Sequence, residues 1–362
     1  MRELGISIYP EHSTIEKDMA YIKLAHQYGF TKIFTCLLSV NGDKEGILQE
    51  FKTIISYAKS LNFEVTLDVS PRVFDSLEIS YHDLSFFNNM GADAIRLDQG
   101  FTGQEEALMT YNPFGLKIEI NMSSATKYLD NLLSYQPDLS HLTGCHNFYP
   151  HRYAALSYPF FIECSKKFKA HGLRTAAFVN SQDATFGPWP IMEGLPTLEM
   201  HRKLPIQVQA QHLFMTQLID VVIIGNAYAS EKELSRLSQV NASMPTFEVE
   251  LYDTISSIER KIVLEEPHFY RGDVSDYFIR STQSRVKYKM EEFPPTNVSE
   301  IQRGDILIEN ERYGQYKGEL QIALMDMENS GKTNVVGHVS EDMLFLIDYL
   351  KPWQNFQFKI KE

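Results

Sequence analysis

The sequence predicts an α/β protein, a (β/α)8 TIM barrel followed by a small β-rich domain. Short apolar strands alternate eight times with helical segments through the first 241 residues, which matches the size of such a barrel. Several strands end in a polar residue, most clearly the run Ala94–Leu97, which Asp98 follows. From residue 246 onward, short β-type stretches dominate. These observations predict two domains, residues 1–241 and 246–362.

The eight predicted barrel strands are short runs of β-favouring, mostly apolar residues, as buried parallel strands require. An open doubly wound sheet is the alternative architecture, but it should carry a glycine-rich phosphate-binding turn after the first strand. The residues at that place, Tyr9–His12, contain no glycine. The predicted strands are Leu4–Tyr9, Lys32–Leu37, Phe63–Asp68, Ala94–Asp98, Leu116–Asn121, His141–Pro150, Arg174–Asn180 and Asp220–Asn226.

Helical segments with apolar residues three or four positions apart connect these strands. A loop at Asn41–Asp43 precedes the second helix, and a much longer segment, Ser181–Arg202, precedes the seventh. Loops of that length are uncommon and are often functional. The predicted helices lie between Thr14 and Gly29, at Ile47–Ser60, Tyr81–Met90 and Glu105–Met109, in the segment ending at Leu132, and at Tyr158–Ala170, Ile206–Gln217 and Ser230–Leu237.

The second domain is predicted to begin after a linker at Asn241–Phe247. Turn sequences such as Arg303–Asp305 separate its strands, and Asp342–Leu350 is predicted to be helical. This pattern predicts a small, barrel-like β domain. Its predicted strands are Arg260–Leu264, Tyr277–Arg280, Asp305–Ile308, Glu319–Leu324, Asn334–Val339 and Phe356–Ile360.

Composition argues against several classes of function. A formal charge of -13 without an extended run of Lys and Arg argues against nucleic-acid binding. The cysteines, Cys36, Cys145 and Cys164, form no CxxC pair, so neither disulfides nor a zinc site is predicted. We expect no metal, because the sequence has no HxxH or HExxH pairing, and we expect no cofactor. We expect a cytoplasmic location, because the N-terminus enters a strand without the apolar stretch of a signal peptide. No stretch reaches the roughly 18 apolar residues of a membrane span, so we expect no membrane partner. A homo-oligomer is compatible with the sequence.

Polar residues at the strand ends are the candidate catalytic and substrate-binding groups, because the carboxyl ends of barrel strands share one rim. Asp68 and Asp98 follow neighbouring strands. Two carboxyl groups facing one cleft are what glycoside hydrolysis needs, one to protonate the leaving oxygen and one to attack or stabilise. Each acid alone could equally cap a turn. The remaining candidates at strand ends are Asn121, His146, Asn147, Tyr149, Asn180 and Asn226.

Two loop segments add further candidates. The segment His146–Arg152 combines an amide, imidazoles and aromatic rings, a composition suited to sugar recognition. The alternative is that the segment is an ordered loop without a binding role. Glu199, His201 and Arg202 lie in the long seventh loop and could supply an acid, a donor and a cation. The alternative is a solvated helix start there. The predicted catalytic residues are therefore Asp98 or Glu199 as the acid and Asp68 as its partner.

In the second domain, several guanidinium and hydroxyl groups are close in sequence within an acidic protein. Arginine forks and hydroxyls suit an anionic group such as a phosphate, although surface salt bridges would use the same residues. The predicted phosphate-binding residues are Arg271, Arg280, Ser281, Thr282 and Arg285.

Several stretches together have a specific likeness: Leu67–Ser70, Leu97–Gly100, His146–Pro150, Gly194–Arg202, Arg271–Asp273 and Ile279–Arg285. The chain resembles, over nearly its whole length, the bacterial family first labelled "outer surface protein" and since associated with 6-phospho-N-acetylmuramidase activity. The resemblance implies a TIM barrel with a cyclophilin-like second domain. It also implies cytoplasmic cleavage of N-acetylmuramic acid 6-phosphate linked β-1,4 to N-acetylglucosamine during cell-wall recycling. The phosphate and lactyl carboxylate of that substrate would suit Arg202 and the arginines of the second domain.

Two other classes of function stay open. One is a barrel aldolase or isomerase acting on a sugar phosphate, which would need a Schiff-base lysine or a metal at a strand end. None of the candidate strand-end residues above is a lysine. The other is a carbohydrate-binding protein without catalytic activity.

Overall fold

The computed structural model describes residues 3–37 and 44–361. The chain forms two compact units, residues 1–239, here called the barrel unit, and residues 240–362, the second unit. In the barrel unit eight parallel strands close in chain order, with the last strand paired to the first. The predicted (β/α)8 barrel is confirmed. Its strands are β1 Glu3–Ile8, β2 Lys32–Cys36, β3 Glu64–Val69, β4 Ala94–Leu97, β5 Lys117–Asn121, β6 Leu142–Cys145, β7 Arg174–Val179 and β8 Val221–Ile224.

Helices connect successive barrel strands. The Thr14 side chain caps the first, and Ser230 and Glu233 form a capping box at the start of the ninth. The helix expected at Tyr81–Met90 starts only at Ser85, and an additional short helix begins at Pro71, a favourable first position. The helices are α1 Ile15–Gln27, α2 Lys44–Ser60, α3 Pro71–Ser76, α4 Ser85–Met90, α5 Gln104–Met109, α6 Tyr128–Ser134, α7 Tyr158–Lys169, α8 Ile206–Met215 and α9 Glu231–Ser238. The predicted loop Asn41–Asp43 lies outside the described residues.

Charged side chains occupy the amino-terminal end of the barrel interior. Lys32 Nζ lies 3.4 Å from Glu64 and 3.3 Å from Glu119. Arg174 Nη1 lies 3.3 Å from Glu64. Because β2 does not pair with β5, nor β3 with β7, the Lys32–Glu119 and Arg174–Glu64 pairs must cross the inside of the barrel. Burial opposes the ionised form of Glu64, but the neighbouring cations hold its pKa at about 2.

We predict that Lys32→Met lowers the free energy of unfolding by about 3–5 kcal/mol, because it leaves the Glu119 carboxylate buried without its partner. Urea unfolding measures this loss. Lys59→Met is the matched control, since it removes an exposed pair with Asp93 and should cost less than about 1 kcal/mol. Combining Lys32→Met with Glu119→Leu should recover much of the loss. Equal effects of the two single lysine variants would contradict this account.

The second unit is built on a seven-stranded, nearly closed sheet that is mostly antiparallel. Its order is β10-β15-β9-β14-β12-β13-β11, and only β9 and β15 pair in parallel. The strands are β9 Thr246–Leu251, β10 His268–Phe269, β11 Phe278–Ser281, β12 Asp305–Glu309, β13 Leu320–Ala323, β14 Thr333–Val339 and β15 Asn355–Ile360. The helices are α10 Ser257–Glu265 and α11 Gln283–Lys287, with 3-10 segments Glu311–Tyr316 and Glu341–Tyr349.

One prediction for the second unit was wrong, and the predicted linker runs two residues too far. The apolar run Arg260–Leu264 is not a strand but part of α10, because Ser256 and Glu259 form a capping box that starts a helix. The expected linker Asn241–Phe247 overlaps β9, an internal strand that pairs with β14 and β15. Within residues 3–37 and 44–361, no helix has the length and apolar character needed to cross a membrane.

Candidate active site

A cavity of about 470 Å³ lies at the carboxyl ends of the barrel strands. It receives side chains from the ends of β3 and β4, from the segment after β6, and from the long segment after β7. This is the rim where barrel enzymes place their catalytic groups. The described residues that line it are Asp68, Arg96, Asp98, Asn147, Phe148, Tyr149, Pro150, Trp189, Pro190 and Ile191.

The guanidinium of Arg96 joins the polar groups of this cavity. Its Nη1 lies 2.6 Å from Asp68 Oδ1 and 3.5 Å from Asp98 Oδ1. Its Nη2 donates a hydrogen bond to Asn147 Oδ1. Asp68 and Arg96 are direct partners in the β3–β4 register. The strand pairing itself therefore brings the Asp68 carboxyl group and the Arg96 guanidinium together. The structure thus brings Asp68, Asp98 and Asn147 to one place.

Asp68 is 2% exposed, and its carboxyl group can hold a proton near neutral pH. Burial raises its pKa to about 6, and the charge of Asp98 acts in the same direction. Arg96 and a contact of 3.6 Å with Cys36 Sγ oppose this rise. A carboxyl group with a pKa close to the working pH is suited to general acid catalysis, and Asp68 therefore has the properties of a proton donor.

Aromatic rings form the apolar wall of the cavity. Phe148 packs edge-on against Phe34 and Phe178, with ring centroids 5.9 and 5.0 Å apart. Trp189 lies 5.7 Å from Phe148 and remains 43% exposed. Flat apolar faces beside polar groups are suited to the C–H faces of sugars. Arg96 and Trp189 line the cavity but are not among the residues predicted from the sequence. For Trp189, the unusual length of the loop that carries it could have indicated a place at the site.

Three other predicted site residues lie away from the cavity and stabilise the rim. His146 is fully buried, and its ring nitrogens lie 3.1 and 2.9 Å from the hydroxyls of Ser123 and Ser165. Burial lowers its pKa to about 3, with Arg96 adding to the effect. Asn180 and Asn226 are buried and bond to backbone atoms of the long seventh loop and the neighbouring strand ends. Their amides therefore hold loops in place.

Glu199, His201 and Arg202 also act within the rim. Arg202 Nε and Nη2 each lie 2.7 Å from a Glu199 oxygen, and its other hydrogens go to backbone carbonyls of two loops. These bonds from Arg202 lower the pKa of Glu199 to about 2, although burial opposes them. A carboxylate held ionised in this way is unsuited to donating a proton. His201 is buried against His212, with 2.8 Å between their ring nitrogens.

Asn121, at the end of β5, does not line the cavity but binds backbone atoms of the segments around it. Its Nδ2 lies 3.2 Å from the backbone oxygen of Asp98, and its Oδ1 accepts a hydrogen bond from Ser123 N at 2.8 Å. Tyr149, by contrast, lines the cavity directly. In the part of the chain that the structure describes, no group of three or more His, Cys, Asp or Glu side chains is arranged to hold a metal ion.

The predicted anion-binding residues of the second unit form a cluster with two acids. Arg271 and Arg280 share Asp273, and Arg280 and Arg285 share the buried Glu319. Three guanidinium groups therefore face two carboxylates, which leaves a net positive charge. The two hydroxyls lie deeper: Ser281 is buried 3.0 Å from His268 Nδ1, and Thr282 Oγ1 is buried and without a hydrogen-bond partner among the described residues.

Comparison with known families identifies both units. Residues 4–239 match the family described as 6-phospho-N-acetylmuramidase, N-terminal, and residues 245–359 match 6-phospho-N-acetylmuramidase, C-terminal. The chain belongs to the 6-phospho-N-acetylmuramidase family. It is therefore a glycosidase, as the paired carboxyl groups predicted.

Two crystal structures resemble the chain along nearly its whole length. An uncharacterized B. cereus protein is 52% identical, with 99% of each chain covered and a TM-score of 0.93. A conserved protein of unknown function from a locus in Enterococcus faecalis is 26% identical, covering 99% of this chain and 96% of that one, with a TM-score of 0.74. Comparison with proteins of curated function found no match.

The charge of Asp98 acts on the titration of Asp68. Because the charge of Asp98 raises the pKa of Asp68, Asp98→Asn should lower the Asp68 pKa below its value of about 6. Titration of the Asp68 carboxyl carbon by NMR measures this change. Asp130→Asn, an exposed surface change on α6, should leave the Asp68 titration unaltered. An unchanged or higher Asp68 pKa in Asp98→Asn would show that the two carboxyl groups are not coupled.

Proposed function

We propose that the protein hydrolyses the β-1,4 bond between N-acetylmuramic acid 6-phosphate and N-acetylglucosamine, a step in the recycling of cell-wall fragments. Family membership supports the class of substrate. The observation that carries the chemistry is the pair Asp68 and Asp98, bound to one guanidinium in a cavity with an aromatic wall. The described residues that line this cavity include no lysine, which a Schiff-base aldolase would need.

In this proposal Asp68 donates the proton to the leaving oxygen and Asp98 is its partner. Burial keeps a proton on Asp68 up to a pH of about 6, while the Asp98 side chain is 38% exposed within the cavity. These roles are the reverse of the sequence-based assignment, in which Asp98 or Glu199 was the acid. Glu199 instead holds the loops of the rim through Arg202.

The spacing of the two acids favours retention of anomeric configuration. One nitrogen of Arg96 lies 2.6 Å from an Asp68 oxygen and 3.5 Å from an Asp98 oxygen. These two oxygens therefore lie closer together than the roughly 6.5–9.5 Å found between the carboxyl groups of inverting enzymes. Asp98 can attack the anomeric carbon itself, or it can orient the N-acetyl group of the substrate to attack.

Substrate contacts in the barrel cavity follow from its lining. We propose that Trp189 and Phe148 cover the C–H face of a sugar ring and that Asn147 and Tyr149 bind its hydroxyls. For the phosphate group we propose Arg271, Arg280 and Arg285, with Ser281 and Thr282 as nearby hydroxyls. The net positive charge of that cluster supports this role.

We also propose a cytoplasmic location for the reaction. The cysteines support it, because Cys36, Cys145 and Cys164 are buried and unpaired, as suits a reducing compartment.

Incubation with the phosphorylated disaccharide should release N-acetylglucosamine, and proton NMR should show the β-anomer of the muramic sugar forming first.

Asp68→Asn should lower kcat by roughly 10²–10⁴-fold, because an amide of the same shape cannot donate the proton. Wild-type kcat should fall as pH rises above about 6, where Asp68 loses its proton.

Glu199→Gln is the matched control for Asp68→Asn, since it also replaces an acid of the rim by its amide. Its kcat should fall much less, because Glu199 positions loops and transfers no proton in this proposal. A wild-type protein without activity on the disaccharide, or an Asp68→Asn variant with full activity, would contradict the proposal.

Arg285→Ala should weaken recognition of the phosphate. A charge-assisted hydrogen bond contributes about 1.5–3 kcal/mol, so KM for the phosphorylated disaccharide should rise roughly ten- to hundredfold. KM for the unphosphorylated disaccharide should change little. Arg312→Ala is the control in the same unit, because Arg312 bonds to the carbonyl of Gly331 and lies outside the cluster. An equal loss on both substrates would count against phosphate recognition by Arg285.

A further inference from the structure

A series of hydrogen bonds connects α7 to Asn147, one of the residues that line the barrel cavity. It begins at Ser165, which is buried in α7 and donates its hydroxyl hydrogen to the Phe161 carbonyl at 2.7 Å. It continues through the buried ring of His146, whose Nε2 lies 2.9 Å from Ser165 Oγ and whose Nδ1 lies 3.1 Å from Ser123 Oγ. It ends at the backbone N–H of Asn147, which donates to Ser123 Oγ at 2.8 Å. The function proposed above uses only Asn147 of these residues.

The direction of each hydrogen bond in this series follows from the number of hydrogens available. A hydroxyl has one hydrogen, and the Phe161 carbonyl accepts that of Ser165, so Ser165 can only accept from His146. His146 Nε2 must therefore carry the ring proton. Burial lowers the pKa of His146 to about 3, so the ring is neutral and its Nδ1 is an acceptor. Ser123 consequently donates to Nδ1, and its oxygen accepts from Asn147.

The backbone of Asn147 is held on its other side as well. Its carbonyl accepts a hydrogen bond of 2.9 Å from Thr197 Oγ1, and that hydroxyl oxygen accepts one of 2.9 Å from the backbone N–H of Phe178 in β7. Both polar groups of the Asn147 backbone therefore have protein partners. This residue holds a defined position before any ligand arrives, which lowers the entropic cost of using it in binding.

The amide of the Asn147 side chain has a defined orientation too. Its Oδ1 accepts a hydrogen bond from Arg96 Nη2, and a guanidinium can only donate. The oxygen of the amide must therefore face Arg96. The Nδ2 group bonds to no residue in the part of the chain that the structure describes, so its hydrogens are available to a ligand of the cavity.

The position of this amide relative to the two acids indicates which part of a sugar it meets. Asp68 and Asp98 both lie on Nη1 of Arg96, and Asn147 lies on Nη2 of the same guanidinium. If Asp98 acts at the anomeric carbon, as proposed above, the Asn147 amide lies beside that carbon. In N-acetylmuramic acid the next ring carbon carries the acetamido group, whose carbonyl oxygen is an acceptor. An amide that can only donate there is complementary to that carbonyl.

We propose that Asn147 Nδ2 donates a hydrogen bond to the acetamido carbonyl of the sugar at the two acids, and that Ser123 and His146 are the positioning residues that hold Asn147 for this contact. The inference rests on the proposed function. It gives Asn147 a more specific partner than the hydroxyl contact proposed above, and it makes this residue a determinant of specificity for N-acetylated sugars.

The 15N NMR spectrum of the His146 imidazole tests the series of hydrogen bonds directly. At neutral pH the wild-type ring should be neutral and protonated at Nε2. Ser165→Ala removes the acceptor of that proton and should shift it to Nδ1. Ser123→Ala leaves Ser165 in place and should keep the proton on Nε2.

Two substrates test the contact with the sugar: the phosphorylated disaccharide, and the same compound with a free amine in place of the acetamido group on the muramic ring. The ratio of their kcat/KM values measures the preference for the acetylated sugar. Asn147→Ala should lower this preference about tenfold, as the loss of one hydrogen bond would. Asn147→Asp keeps an oxygen for Arg96 but replaces Nδ2 by a carboxylate oxygen, so the preference should reverse toward the cationic amine. Asn89→Ala, at an exposed position of α4, is the control and should keep the wild-type preference.

Ser123→Ala tests the positioning role, because it removes the acceptor of the Asn147 N–H without removing any contact to the sugar. It should lower the preference for the acetylated disaccharide several-fold. A general loss of folded protein would lower both rates equally and leave the preference unchanged. Ser123→Thr keeps the hydroxyl and should restore the preference.

A wild-type imidazole protonated at Nδ1, or an equal loss on both substrates in Asn147→Ala, would overturn the inference. The proposed function would stand in either case if the wild-type protein hydrolyses the phosphorylated disaccharide. Absence of that hydrolysis would reject the proposed function, and the contact with the acetamido group would be rejected with it.

Discussion

The candidate site depends on the guanidinium of Arg96, which is buried in β4 and contacts residues of three segments of the rim. It donates hydrogen bonds to Asp68, to Asp98 and to the side chain of Asn147 after β6. Without a buried cation, two carboxyl groups at adjacent strand ends would repel each other and burial would be costly. With it, Asp68 can be 2% exposed and still lie beside a second acid. The guanidinium therefore makes two neighbouring carboxyl groups at this rim compatible with a folded protein.

The same constraint shapes the rest of the barrel interior. Barrel interiors are commonly filled by branched apolar residues, but here Lys32, Glu64 and Glu119 meet inside the barrel. Buried charges of this kind are tolerated only when each has a partner. The ion pairs lie at the amino-terminal ends of the strands, and Asp68 and Asp98, the proposed catalytic acids, lie at the carboxyl ends. One fold thus separates a set of charges that maintain structure from a set available for chemistry.

The sequence predicts the strand ends well, but it does not predict which of the polar side chains there line the cavity. Asp68 and Asp98 could be predicted because an acid that follows an apolar run lies at the barrel rim. His146 and Asn180 were chosen by the same criterion, yet both are buried and bonded to protein groups. Arg96 was missed because one charged residue within an apolar strand has no distinctive spacing. In the second unit, the short run Arg260–Leu264 fits the period of a strand as well as that of a helix, and only the capping residues Ser256 and Glu259 indicate the helix.

By itself, the sequence determined the eightfold alternation of strand and helix, the family, and the set of polar residues from which the site is drawn. These follow from local periodicity and from motifs, which are properties of neighbouring positions along the chain. Only the tertiary structure decided which of those residues face the cavity and which of them can hold a proton. Burial and the distance between groups on different strands set both, and neither quantity is encoded in the spacing of residues along one strand.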